Sequence, residues 1–97
     1  MKYEIERTEP FDKWLKNLKD RKAVLAITQR LNRAALGNFG DTKVLGDGVY
    51  EMRIFLGPGY RLYYTIRNGV IILLLLGGDK SSQEKDIDLA KKIAGSL

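Results

Sequence analysis

The chain has 97 residues, 44% of them hydrophobic and 30% charged, which fits one folded domain with a single modest core and argues against disorder. It contains no cysteine and no histidine, which excludes disulfides, the usual zinc ligand sets and a histidine general base. The formal charge of +5 and pI near 9.6 point toward a polyanionic partner, either nucleic acid or an acidic protein segment.

The first residues carry no apolar stretch of signal-peptide length, and the most apolar run, Val70 to Leu76, is too short to span a bilayer. The expectation is a soluble cytoplasmic protein. Residues 2–7 alternate and suit a first strand. Thr8-Glu9-Pro10 starts a helix, and Phe11, Trp14, Leu15 and Leu18 follow at helical spacing, which makes Trp14 a core residue. Asp20 caps a second helix, Arg21 to Leu36, with Val24, Ile27, Leu31 and Ala34 or Ala35 facing inward. The short Lys19-Asp20 break makes the pair an antiparallel helical hairpin. Lys13, Lys16, Lys19, Arg21, Lys22, Arg30 and Arg33 form its outer, solvated surface, which also steers the domain toward RNA.

After a loop at Gly37–Asp41, Thr42 to Leu45 reads as a short strand and Gly46-Asp47-Gly48 as a tight turn. Two alternating runs, residues 49–56 and 60–67, then flank Gly57-Pro58-Gly59 as a hairpin with a three-residue loop. With Leu56 opposite Tyr60, the faces Tyr50, Met52, Ile54, Leu56 and Tyr60, Leu62, Tyr64, Ile66 coincide. Asn68-Gly69 signals a two-residue turn into the apolar run 70–76, a strand covered on both faces with a helix layer on one side. Gly77 to Ser82 turns the chain into a last helix, for which Ser81 and Glu84 form a capping box and Gly95 a stop. The fold class is α+β: a strand, a helical hairpin, a mostly antiparallel sheet built as a four-stranded meander, and a C-terminal helix, all in one domain spanning residues 1–97.

Two features can carry chemistry. On the second face of the hairpin Arg53 and Arg61 become diagonal neighbours, opposite Tyr63 and Phe55. Like charges so placed repel unless an anion bridges them; the plainer reading is that each is solvated and paired with Glu51 or another acid. Lys80-Ser81-Ser82 forms a helix mouth whose unpaired N–H groups attract phosphate, or else a plain capped helix after a glycine turn. The pairing of the 60–67 and 70–76 strands converges Arg53, Arg61 and Lys80 on one basic concavity. Glu51 there is either a general base or a salt-bridge partner. Tyr63 either stacks a base, positions a proton, or sits as a surface neighbour of Arg53. Arg67, Ser81 and Ser82 extend the RNA-binding surface.

Gly48-Val-Tyr-Glu-Met-Arg53, Gly57-Pro-Gly-Tyr-Arg-Leu-Tyr-Tyr64 and Leu76-Gly-Gly-Asp-Lys-Ser-Ser-Gln83 resemble the motifs of RelE/ParE-superfamily toxins, nearest to the addiction-module killer-protein branch akin to HigB. The resemblance implies a RelE-like fold and a type II toxin–antitoxin toxin acting as an mRNA endoribonuclease, typically on the ribosome, with a cognate antitoxin as partner. It also implies that Arg53 and Arg61 bind substrate phosphate and that Lys80 completes the site. The chain departs from HigB-like relatives in having no histidine for acid–base steps. RNA cut by its own 2′-hydroxyl needs neither cofactor nor metal from the protein. The alternatives are a ParE-like DNA gyrase inhibitor and a non-catalytic basic module that binds only its antitoxin. The ribonuclease reading requires the three cations to face one phosphodiester without each being neutralised by its own carboxylate.

Overall fold

Thr8 shows how local signals and long-range packing combine in this chain. Its hydroxyl accepts from the Phe11 N–H (3.2 Å), capping the first helix, and donates to the Leu75 carbonyl (2.8 Å), pinning that helix to a strand 67 residues away. The computed structural model describes residues 2–97. The elements run β1 (Glu4–Arg7), α1 (Glu9–Asn17), α2 (Arg21–Ala35), β2 (Thr42–Gly46), β3 (Val49–Ile54), β4 (Tyr60–Arg67), β5 (Ile71–Asp79), a 3₁₀ turn (Lys80–Ser82) and α3 (Gln83–Gly95). Asp20 caps α2 by accepting from the Ala23 N–H at 3.2 Å. The buried row of α2 is Ala23, Ile27, Leu31 and Ala34. Val24, expected inside, flanks this row and is only half-buried, because the 4-4-3 spacing from Ala23 points that small side chain at the core.

The sheet order is β1-β5-β4-β3-β2, with β1 parallel to β5 and the remaining pairs an antiparallel meander. Phe11, Ile27, Leu31, Met52, Leu62, Tyr64 and Leu74 belong to the core between the helical hairpin and one sheet face. Val49, Tyr63, Leu73, Leu75, Leu76 and Ala90 form a smaller core beneath α3 on the other. Two helix layers therefore cover β5, not one, which explains its uninterrupted apolar sequence. Among the described residues no helix is long and apolar enough to cross a membrane.

Two expectations fail in instructive ways. The β3–β4 hairpin pairs Ile54, not Leu56, with Tyr60, so residues 55–59 form the connection. Inside it the Leu56 N–H binds the Ile54 carbonyl (3.0 Å) and the Gly59 N–H binds the Leu56 carbonyl (3.1 Å), with Gly59 at φ 79°. These turns take Leu56 out of the ladder while its side chain still packs on the larger core. The slip is two residues, so every side chain keeps its face. Arg53 now lies directly opposite Arg61, and Glu51 opposite Tyr63.

The second failure is at Gly77-Gly78, which lie within β5 and not in a turn. A Cβ on Gly77 would stand 2.1 Å from Trp14 Cε3, and one on Gly78 2.0 Å from an Asp86 carboxylate oxygen. The glycines let the α1 indole and an α3 carboxylate press on the strand backbone from opposite sides. Gly77→Ala should therefore cost about 2–3 kcal/mol in urea unfolding. Gly95→Ala, where nothing lies within 4 Å of the added methyl, should leave stability unchanged or slightly higher.

Candidate active site

On the α3 side of the sheet, Arg53 from β3 and Arg61 from β4 share with Lys80, just past β5, a pocket of about 140 Å³ that also touches Phe55, Gly59 and Tyr60. Each arginine has a carboxylate beside it, the arrangement that argues against a phosphate grip; for Arg53 the pair is hydrogen-bonded, for Arg61 it is a longer contact. Arg53 Nη2 donates to Asp41 Oδ1 at 2.9 Å, and this bond and charge raise the Arg53 pKa above its ordinary value. Its Nε finds no partner. Arg61 Nε stands 3.6 Å from Glu51 Oε2, beyond hydrogen-bond reach, and is also unpartnered. Lys80 is exposed and has no ion pair among the described residues. Three cations thus share two carboxylates, leaving the pocket positive.

The supporting residues explain this geometry. Arg30 of α2, expected on the outer surface, is half-buried and works as a fork: Nη1 donates to the Arg53 carbonyl (2.6 Å), Nη2 to those of Phe39 (3.1 Å) and Asp41 (3.3 Å). It fixes the Asp41 loop against β3, and the Arg53 N–H closes the link on the Asp41 carbonyl at 2.9 Å. Glu51 is 1% exposed, and its Oε2 accepts from Gln83 Nε2 at 2.9 Å, so the first residue of α3 holds the carboxylate that faces Arg61. Of the two readings of Glu51 its burial beside Arg61 favours the salt-bridge partner. Arg61 Nη1 in turn donates to the Gly59 carbonyl at 2.9 Å.

Other candidates lie apart from the pocket. Tyr63 is fully buried in the α3 core and offers no surface for stacking. Its hydroxyl is the third buried side-chain polar atom without a hydrogen-bond partner among the described residues, and burial, with Glu51 and Asp86 nearby, pushes its pKa well above the ordinary phenol value. Arg67 is exposed at the opposite end of β4, paired with Ile71, about 20 Å along the strand from Arg61. The capping box does not form. Asp79, not Glu84, caps the turn, accepting from the Ser81 N–H (2.9 Å) and Ser81 Oγ (2.5 Å), while Ser82 Oγ donates to Asp86 Oδ2 (2.5 Å). Both hydroxyls and the leading N–H are spent on carboxylates, so this corner contributes Lys80 alone. Asp41, Arg30 and Gln83 carried no periodic signal in the sequence; their roles arise from side chains meeting across elements. Among the described residues no cluster of three acidic or other metal-ligating side chains forms.

Residues 13–94 match the family described as Phage derived protein Gp49-like. An uncharacterized protein of Haemophilus influenzae is 48% identical over 97 residues, covering 100% of this chain and 98% of its own length. The structure of the E. coli toxin RelE, an arginine-to-alanine double mutant in the free state, matches with a TM-score of 0.76 at 21% identity, covering 96% of this chain and 99% of that one. At that identity the likeness establishes the fold.

The buried phenol has a consequence for stability. The folded state holds the Tyr63 proton to higher pH than the unfolded chain, whose phenols titrate near about 10. Stability is full below that value and falls as pH rises above it. Tyr63→Phe removes an unpartnered hydroxyl, so urea unfolding at about pH 7 should show unchanged or up to about 1 kcal/mol higher stability. Melts at about pH 10.5 should show a smaller alkaline loss than wild type, with the remainder set by Tyr60 and Tyr64, whose pKa values burial also raises.

Proposed function

The chain belongs to the phage derived Gp49-like family, and from that premise and its RelE fold we propose that it is the toxin of a type II toxin–antitoxin pair, an mRNA endoribonuclease working in the cytoplasm. The observation that carries this reading is the convergence of Arg53, Arg61 and Lys80 on one small pocket, where three positive charges have two carboxylates beside them. A phosphodiester supplies the missing negative charge. Guanidinium groups suit the task because they stay charged and grip oxygens through parallel N–H bonds.

In this mechanism the RNA's own 2′-hydroxyl gives its proton to water and attacks the adjacent phosphorus, the P–O5′ bond breaks, and a 2′,3′-cyclic phosphate and a 5′-hydroxyl result; the protein orients the backbone and stabilises the extra negative charge of the phosphorane. Arg61, held by Glu51 and the Gly59 carbonyl, and Arg53, held by Asp41, are fixed before substrate arrives. Lys80, on the exposed side, neutralises the leaving oxygen or gives it a proton. Glu51 positions Arg61 and is not the base. The pocket, at about 140 Å³, is of a size for one phosphate, and the mRNA that carries it is presented on the ribosome. The antitoxin covers the basic face with an acidic amphipathic segment, matching the net charge of +5.

Growth assays with expressed variants test this directly. Arg61→Ala and Arg53→Ala should each lower cleavage by about 10²-fold or more and relieve growth arrest, and Lys80→Ala should weaken it. Mapping of RNA 5′ ends in cells should show new cuts with wild type only. Inhibition of gyrase supercoiling without RNA cuts would instead support the ParE-like alternative.

A further inference from the structure

Phe55 is 78% exposed at the rim of the Arg53–Arg61–Lys80 pocket. Its neighbour Leu56 packs on the core, so the same short loop buries one large apolar side chain and presents the other to water. The Arg53 guanidinium carbon stands 5.8 Å from the Phe55 ring centroid, which ties the ring to the phosphate-facing cation. The loop that carries it is held by the Leu56 to Ile54 and Gly59 to Leu56 backbone bonds, which keep Phe55 at the pocket rim. The pocket itself, at about 140 Å³, is far below the ~300 Å³ at which sites enclosing whole small molecules begin. It takes a phosphate and leaves the attached nucleoside outside, at the rim.

We propose that Phe55 is a nucleobase platform, stacking the base of a nucleotide that flanks the phosphodiester gripped by Arg53, Arg61 and Lys80. The inference rests on the ribonuclease reading of that pocket. A basic groove beside an exposed aromatic is the combination by which proteins hold single-stranded nucleic acid, and stacking tolerates any base. Phe55 therefore strengthens binding without imposing a sequence.

The test uses two probes: a fluorescent RNA hexamer methylated at every 2′-oxygen, which cannot be cut, and the same hexamer with abasic riboses. Phe55→Ala should weaken binding of the hexamer roughly 10-fold and leave the abasic affinity unchanged, while Phe55→Trp should bind the hexamer at least as well as wild type. The ring is exposed, so an unchanged melting temperature is expected for both variants. Equal affinity of Phe55→Ala and wild type for the hexamer overturns the platform while the ribonuclease reading stands, provided Arg61→Ala still loses binding. Equal weakening on both probes also overturns it. Loss of antitoxin binding with hexamer affinity intact makes Phe55 a protein-docking residue and overturns it as well. Failure of wild type to bind either probe overturns the platform, and the mapping of RNA 5′ ends in cells then decides the ribonuclease reading by itself.

Discussion

Two arginines placed directly opposite each other on neighbouring strands, Arg53 on β3 and Arg61 on β4, set the problem that the rest of this protein solves. Opposed residues stand about 5 Å apart at Cβ, where like charges destabilise a sheet. The chain answers with one carboxylate for each, Asp41 hydrogen-bonded to Arg53 and Glu51 at a longer 3.6 Å from Arg61. Unpartnered Nε–H groups remain on both arginines, and Lys80 adds a third positive charge. A surface optimised only for folding would not keep this arrangement, and local conflicts of this kind concentrate where a protein meets a ligand.

The two carboxylates are held by different parts of the fold. Asp41 sits in a loop clamped by the Arg30 fork from α2, so the hairpin on one sheet face fixes an arginine whose head opens toward the other. Glu51 is bound by Gln83, so α3 fixes the second. The pocket is therefore assembled from both helix layers and is no more rigid than their packing on the sheet. Gly77 and Gly78 set that packing, admitting the Trp14 ring on one side and Asp86 on the other.

Much of the fold was legible because its signals are local. Thr8 and Asp20 cap where their residue types predict, and Asn68-Gly69 turns the chain at φ 54° and 72°, although Val70 joins the connection, making it three residues with Arg67 opposite Ile71 and not the expected two. Face assignment in the hairpin survived because alternation has a period of two. The same period hides a two-residue slip, so the direct opposition of Arg53 and Arg61 could not be read from the pattern. Gly77-Gly78 misled because a glycine pair marks a turn and a close approach equally well, and only the Trp14 ring distinguishes them. The convergence of Arg53, Arg61 and Lys80 followed from strand order. The inward turn of Glu51 and the burial of Tyr63 did not, because both depend on α3 lying over that face. Arg67 shares a face with Arg61, but face says nothing of distance along a strand.

The parallel pairing of β1 with β5 carries a last consequence. The first strand to leave the ribosome must wait for the last strand before it gains its only neighbour in the sheet, and Lys80 follows directly after that strand. A growing chain so wired keeps β1 unpaired, and its cationic cluster unassembled, until β5 and Lys80 have been made. The pocket is thus among the last features of the sheet to come together.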